Sequence, residues 1–389
     1  MRVRELTAYH VRIPLRRPVR HASHARTSTE NILVRCALDD GTIGWGEGVP
    51  REYVTGETAA GALDLLRRSD LPAQVERCPQ FSAAVELAER LRLGQVAGDD
   101  RGIAGNAAKC AVELALLDAY GRHFGEALSA ITPLVATELH RPRDRVRYSA
   151  AITSSDGLKL KLVAWAYRLY GFQQVKVKVG IAGQDDTARL RAVRRRVGPD
   201  VRLRVDANEA WPASQAAERI RALEPFGLEW VEQPVPNGEI AAMPDVRKRV
   251  SAPIVLDESL CGLNDAERAV SGAWCDAFNV RLSKCGGFIS SLRLAQFANR
   301  NGLGYQLGCQ VGETAILSAA GRHFAASVGD LVAVEGSFDR HLVRERLSRE
   351  DITFGRGGWA SRLAGPGLGI LIDSDAIERV TVAREALLG

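Results

Sequence analysis

The segment Gln174-Val175-Lys176-Val177-Lys178-Val179 sets two lysines two residues apart in a β-branched run. In an extended strand alternate side chains share a face, so the two ammonium groups sit side by side and repel. A solvated strand face tolerates such a pair, whereas a buried face does so only with a reason. Three carboxylates follow, each closing an apolar run: Asp206 in Asp206-Ala207-Asn208, Glu232 in Glu232-Gln233-Pro234 and Asp257 in Asp257-Glu258-Ser259. They are spaced 26 and 25 residues apart, one strand–helix–strand unit each. Carboxylates at the ends of neighbouring strands converge. Together they repel unless a hard divalent cation makes them an oxygen ligand set with room for water and substrate. Any one of them alone reads equally well as a helix N-cap, Asp206 ahead of Pro212 above all.

The elements that must position these residues follow from hydrophobic periodicity. From Arg145 onward, strand-like runs at 146–151, 174–179, 202–206, 229–232, 253–256, 277–283, 304–307 and 332–335 alternate with amphipathic stretches such as 185–197, 213–223 and 289–301. This pattern predicts an α/β fold, a modified TIM-type (β/α)8 barrel over residues 145–340, with functional side chains at the strand C-termini. No Gly-x-Gly-x-x-Gly follows an early strand, which disfavours a doubly wound open sheet. Residues 1–135 read as an α+β capping domain: strands at 3–13 and 31–38, an Asp39-Asp40-Gly41 hairpin turn into 42–46, then helices at 59–67, 81–90 and 106–124. Residues 341–389 read as a C-terminal segment returning to that domain, with a strand at 361–373.

Bulk properties narrow the classes. The chain has 389 residues, 46% hydrophobic and 25% charged, as in a soluble globular protein of two domains. Its net charge of +5 is interspersed, without a basic stretch carrying aromatics, so nucleic acid is not an expected partner. No apolar run suits a membrane span, and the first fifteen residues lack the apolar core of a signal peptide. Seven scattered cysteines without a Cys-x-x-Cys pair point to reduced thiols and a cytoplasmic location.

Taken together, Lys-x-Lys, Asp-x-Asn, Glu-Gln-Pro and Asp-Glu-Ser, in this order and spacing, resemble the enolase superfamily. Within it they resemble the muconate cycloisomerase-like (mandelate racemase/muconate lactonizing enzyme) subgroup, over nearly the whole chain. That subgroup holds lactonising enzymes, succinylbenzoate synthases, N-succinylamino acid racemases and dipeptide epimerases. The resemblance implies an isomerase or lyase that removes the proton α to a carboxylate through an enediolate. It further implies that Asp206, Glu232 and Asp257 bind Mg2+, with Mn2+ as a substitute, and that Lys178 is the base with Lys176 beside it. The enediolate carries two negative charges, which a divalent cation stabilises as they develop. Free lysine titrates near ~10.4, and both the Lys176 ammonium and the metal act to lower the pKa of Lys178.

The expected substrate is a small carboxylate anion, and the chain is expected to form a homo-oligomer. Asn208 is expected to touch substrate. Glu313 matches a glutamate the subgroup carries after its seventh strand, although a carboxylate starting a helix is an equal reading. Segments 16–30 (Arg16, Arg17, Arg20, His21, His24, Arg26) and 50–57 (Arg51, Tyr53) read as loops over the barrel mouth that set specificity for an anion, or as ordinary solvated loops.

The sequence departs from the subgroup at one position. The second lysine of the subgroup lies 24 residues beyond the third ligand, and here that residue is Arg281 in Asn279-Val280-Arg281-Leu282-Ser283-Lys284. Strand parity turns Arg281 inward. Lys284, of opposite parity and past the strand end, reads as helix-facing or solvated, with a curl over the site as the alternative. Arginine stays protonated, so Arg281 holds anions rather than moving protons. One-base chemistry with Lys178 survives: β-elimination, cycloisomerisation, or epimerisation completed by water. A catalytically silent metal- and anion-binding descendant is the rival from another class. An acid-sugar dehydratase of mandelate racemase type is disfavoured because 305–313 contains no histidine. The run Glu335-Gly336-Ser337-Phe338-Asp339 lacks the Asp-x-Asp usual in dipeptide epimerases.

Overall fold

The computed structural model describes residues 1–20, 25–153 and 155–389; of Arg20 and Ala25 only the backbone is described. His21 and His24 lie outside the described residues. Three antiparallel strands open the chain, β1 (Val3–Arg20), β2 (Ala25–Leu38) and β3 (Ile43–Gly48). The turn between β2 and β3 is closed by Leu38 N donating to Thr42 O at 2.9 Å, with Gly41 at φ 86°. Arg16, Arg17 and Arg26 therefore stand on the arms of a long hairpin rather than in a loop.

Helices Ala59–Arg68 and Asn106–Phe124 pack on this sheet, and Phe81–Arg90 packs on Asn106–Phe124. Helix Asn106–Phe124 approaches β3 closely because β3 presents Gly44, Gly46 and Gly48 on one face. A Cβ at Gly46 would stand 2.0 Å from Ala111 O, and one at Gly48 1.9 Å from Ala107 O. Only glycine fits there.

The chain then lays down β4 (Arg145–Arg147), β5 (Ala150–Ile152), β6 (Gln174–Lys178), β7 (Arg202–Asp206), β8 (Leu228–Glu232), β9 (Ile254–Leu256), β10 (Ala277–Val280), β11 (Gly304–Leu307) and β12 (Leu331–Val334). Strands β5 to β12 form one parallel eight-stranded sheet in sequential order. Its two edges meet where Ser149 N donates to Val334 O at 2.9 Å, curling the sheet into a barrel. Helices Gly157–Tyr170, Asp186–Val197, Ala213–Leu223, Leu263–Ser271, Phe288–Arg300 and Ala315–Ser327 surround it.

Three elements differ from the sequence reading. The single strand expected at 146–151 is two: β5 joins the barrel, while β4 pairs antiparallel with β13 (Trp359–Ser361). The sixth barrel strand stops at Val280 instead of 283, because the chain turns at once: Cys285 N donates to Arg281 O and Gly287 N to Leu282 O, both at 2.9 Å. Residues 362–373 form no strand, and the strand that pairs with β1 is β14 (Thr381–Leu388). Among the described residues no helix is long and apolar enough to cross a membrane.

Two buried glutamates tie cap to barrel. Glu47, at the end of β3, accepts from Thr314 N (3.0 Å), Leu317 N (3.0 Å) and Thr314 Oγ1 (2.7 Å), at the start of helix Ala315–Ser327. Glu113, in helix Asn106–Phe124, accepts from Ile289 N at 3.0 Å, at the start of helix Phe288–Arg300. Each satisfies helix N–H groups that would otherwise be buried and unpaired. Burial pushes both carboxyls up to about 7 against those hydrogen bonds.

Candidate active site

The parallel register brings Lys178 beside Asp206, and Asp206 beside Glu232, on three adjacent strands. Lys176, one inward position deeper, is buried. Its amine lies 2.8 Å from Glu335 Oε2, 3.2 Å from both Glu232 oxygens and 3.4 Å from Asp206 Oδ2. Burial works against its charge, but Glu232, Glu335 and Asp206 outweigh it and hold its pKa above the ordinary lysine value. Glu232 is enclosed by donors: besides Lys176 it accepts from Asn279 Nδ2 (2.8 Å) and Gln306 Nε2 (3.1 Å). Arg204 ties this floor together through Gln306 Oε1 (2.6 Å), Ser149 Oγ (2.8 Å) and Glu335 Oε1 (3.0 Å). The like-charge cost of the lysine doublet is thus met by carboxylates.

Above that floor, Lys178 Nζ donates to Asn208 Oδ1 at 2.5 Å and lies 3.7 Å from Asp206 Oδ2. Asn208 is fixed in turn: its Nδ2 donates to Glu258 Oε1 at 3.0 Å and its N to Asp206 Oδ1 at 3.0 Å. Asp206 therefore bonds its own turn and caps no helix, since Pro212 stands at the cap of helix Ala213–Leu223. Asn208, Glu209, Gln233 and Ser337 take positive φ values of 43°, 65°, 37° and 53° at the strand ends. Such strain concentrates at functional sites. Burial, then Asp206 and Glu209, push Glu258 up to about 7.

On the opposite wall the Arg281 guanidinium pairs with Asp257 and lies 3.7 Å from Glu232 Oε1. Burial opposes its charge, and Glu232 and Asp206 more than restore it. Lys284 corrects the sequence reading. It is neither solvated nor helix-facing: fully buried, it places its amine 2.6 Å from Asp257 O, 2.8 Å from Asn279 O and 2.9 Å from Asp257 Oδ1. Strand parity failed because the strand has already ended, and the turn after Val280 folds Lys284 back beneath Asp257. All three of its N–H donors have acceptors.

The capping segments divide. Arg26 lies 5.4 Å from the ring centroid of Tyr53, a cation–π contact joining the two segments. Arg51, expected at the mouth, is instead buried and donates to Thr29 Oγ1 (2.9 Å), Pro50 O (2.6 Å) and Val311 O (2.6 Å), a clamp between cap and barrel. Arg16 and Arg17 are exposed. Glu313 precedes the helix, whose cap is Thr314; it accepts from Gln310 N at 2.6 Å, and burial, reinforced by Glu47, pushes it up to about 8.

Among the described residues no three His, Cys, Asp or Glu side chains are gathered closely enough to hold an ion as they stand. Cations fill the gaps, Lys176 bridging Asp206 and Glu232, and Arg281 bridging Glu232 and Asp257. The donor set nonetheless suits a hard divalent cation, being all oxygen, and Asp206 Oδ2 is buried without a hydrogen bond. Sequence reasoning missed Glu335 and Arg204. Glu335 directly follows β12, the signal that singled out Asp206, Glu232 and Asp257.

A TIM-type barrel with its ionic groups at the strand C-termini, under an α+β cap, puts those groups on the face where barrel enzymes carry their active sites. Residues 160–376 match the family model described as enolase C-terminal domain-like, and residues 3–131 that of the mandelate racemase/muconate lactonizing enzyme N-terminal domain. The N-succinyl-L-Arg/Lys racemase of Bacillus cereus is 28% identical over 387 residues, 99% of each chain. Its crystal structure superposes with a TM-score of 0.85 at 26% identity, covering 99% of this chain and 100% of that one. The L-Lys-D/L-Arg epimerase of Methylococcus capsulatus is 30% identical over 346 residues, 87% of this chain and 91% of that one. A dipeptide epimerase from Enterococcus faecalis, crystallised with Mg and L-Leu-L-Tyr, superposes with a TM-score of 0.82 at 26% identity, covering 95% and 100%. The chain belongs to the mandelate racemase/muconate lactonizing enzyme group of the enolase superfamily. It is an isomerase or lyase of the kind that abstracts the proton α to a carboxylate.

Proposed function

We propose that this enzyme depends on Mg2+ and takes the α-proton of a small carboxylate anion with Lys178, working from one side of the substrate. The observation that carries this reading is the unlike pair across the site, the Lys178 amine on β6 and the Arg281 guanidinium after β10. An amine can lose and regain a proton near neutral pH when its surroundings favour it; a guanidinium cannot. The proton passes from Cα to Lys178 Nζ, and its electron pair enters the bond to the carboxylate carbon. Asn208 aims the amine. Arg281 offers fixed N–H donors to charge gathering on the far side. Lys176, surrounded by three carboxylates, keeps positive charge under the site.

Asp206, Glu232 and Asp257 would hold the cation, supported by their all-oxygen donor set and by the Mg in the Enterococcus faecalis structure. When bound, it stabilises negative charge on the substrate carboxylate. Mn2+ accepts the same donors and would substitute. The relatives act on N-succinylated or peptide-linked amino acids, which supports an acylated amino acid as substrate. Arg26 and Tyr53, in contact across the two capping segments, would read its acyl end, with Glu313 as a further contact; the Arg20 side chain lies outside the described structure.

The test is a panel of N-succinylamino acids, dipeptides, cyclic imino acids and muconates incubated with Mg2+ in D2O, with α-deuteration and product formation read by NMR. Exchange confined to one enantiomer supports the proposal. A panel without exchange, alongside intact metal binding, favours the catalytically silent rival, in which Arg281 keeps Asp257 occupied.

We infer as well that the protein is a homo-oligomer. Helix Gly157–Tyr170 exposes Leu158 (71%), Leu162 (56%), Trp165 (52%) and Leu169 (55%) at alternating intervals of four and three, one apolar stripe on its outer face. The seven cysteines, all free and six of them buried, support a cytoplasmic location.

A further inference from the structure

The N-terminal face of the barrel, opposite the site, carries a group of arginines that the reaction does not use. A cavity of about 260 Å³ is bounded by β4, the starts of β6 and β7, and β12. Four arginines line it, Arg143, Arg145, Arg147 and Arg202, and among the described residues no aspartate or glutamate does. The guanidinium carbons of Arg145 and Arg147 lie 4.7 and 5.0 Å from the ring centroid of Trp359. Arg147 is anchored further, Nε donating to Gly357 O and Nη2 to Gly171 O, each at 2.9 Å. Only Arg202 has a carboxylate, Glu229 Oε1 at 2.9 Å, at the cavity's edge. Among the described residues Arg143, Arg145 and Arg147 have none.

This end of a TIM barrel ordinarily serves stability, and like charges gathered in one concavity do not serve it. Solvated arginines on a flat surface avoid one another at little cost. Here Arg145 and Arg147 share one aromatic ring, and Arg147 spends two donors on main-chain carbonyls, which holds its guanidinium beside the others. Burial, and after it Arg202, lower the pKa of Arg147. Guanidinium forks with spare N–H groups match oxyanions bidentately.

We propose that this cavity is a second ligand site, for a small oxyanion carrying two negative charges, a phosphate group or a dicarboxylate. Its volume falls below the ~300–1,000 Å³ of drug-sized pockets, which suits an anionic head with few further atoms. The site is built into the barrel itself. Gln174 and Arg202 begin the strands that end in Lys178 and Asp206.

The experiment is calorimetric titration of the full chain with inorganic phosphate and, separately, with succinate, in Mg2+-free buffer at constant ionic strength held with KCl. The expected result is one saturable equivalent per chain for at least one of the two, the tighter arm naming the head group. Arg143→Ser combined with Arg145→Ser should weaken it about tenfold or more through lost charge-assisted hydrogen bonds. Arg145→Glu, one substitution at an exposed strand position, should do the same should the pair fail to fold. Arg281→Met, at the other end of the barrel, should leave this binding unchanged. Absence of saturable binding, full affinity in the Arg143/Arg145 variants, or loss of binding in Arg281→Met would each overturn the proposal.

Discussion

Lys284 and Asp257 form a fully buried ion pair in which the amine reaches both the side chain, at 2.9 Å, and the main-chain carbonyl, at 2.6 Å, of one residue. Asp257 thus stands between two cations, Arg281 on the cavity side and Lys284 behind. Lys284 sets where the carboxylate stands, while Arg281 alone of the two faces the site. Without the Lys284 amine Asp257 keeps its Arg281 partner, but Asp257 O and Asn279 O lose a buried donor, which costs about 1–3 kcal/mol. Lys284→Met should therefore lower unfolding stability by about that much in urea titration. A loss below about 1 kcal/mol, the range of surface pairs, would contradict the assignment.

Mg2+ should bind once per chain and raise the melting temperature with the logarithm of its concentration once above Kd, with EDTA reversing the shift. Asp206→Asn, Glu232→Gln and Asp257→Asn should each abolish most of that shift. Thermal scans at several Mg2+ concentrations check this. A shift preserved in all three variants would move the metal elsewhere.

Glu47 gives stability a defined pH dependence. Its carboxyl is raised to about 7 by burial, from 4.5. The folded chain therefore holds a proton that the unfolded chain has released across that window, so this contribution is complete below about 4.5 and is lost as pH rises through about 7. Glu113 and Glu57, likewise raised to about 7, act in the same direction. Glu47→Gln should reduce the proton uptake linked to folding between pH 4.5 and 7 by about one, measured from denaturation free energies against pH. An unchanged slope would show that Glu47 stays ionised throughout.

The core of the site was legible because its spacing is local to each strand–helix unit. Lys178, Asp206 and Glu232 needed only a parallel register to become neighbours. Arg281 was located by counting from Asp257, although the strand ends one residue before it. Lys284 was not legible, since parity says nothing once the chain turns, and no residue near it announces that Asp257 O is its acceptor. Glu335 was legible by the rule applied to the other strand ends, yet its partner Lys176 is 159 residues away. The Glu47–Thr314 cap spans 267 residues between two domains, beyond any periodicity. The same holds for β14 against β1, whose pairing partners stand at opposite ends of the chain.

Assembly should depend on the exposed stripe of helix Gly157–Tyr170. Trp165→Glu, which places a charge in its middle, should shift the protein toward monomer in light scattering coupled to size exclusion, with the circular dichroism spectrum unchanged. A wild-type monomer, or a variant with unaltered mass, would remove the stripe from the interface.

The central claim is one-sided proton abstraction by Lys178, and the most direct measurement is α-deuteration of both enantiomers of the best substrate in D2O, followed by 1H NMR. Wild-type protein with Mg2+ should exchange one enantiomer only. Lys178→Ala should lower that exchange by at least about 10²-fold, the scale of a lost general base. Arg281→Lys, which puts a titratable amine on the opposite wall, should open exchange of the second enantiomer. Wild-type exchange of both enantiomers at similar rates, or exchange that survives in Lys178→Ala, would contradict the account.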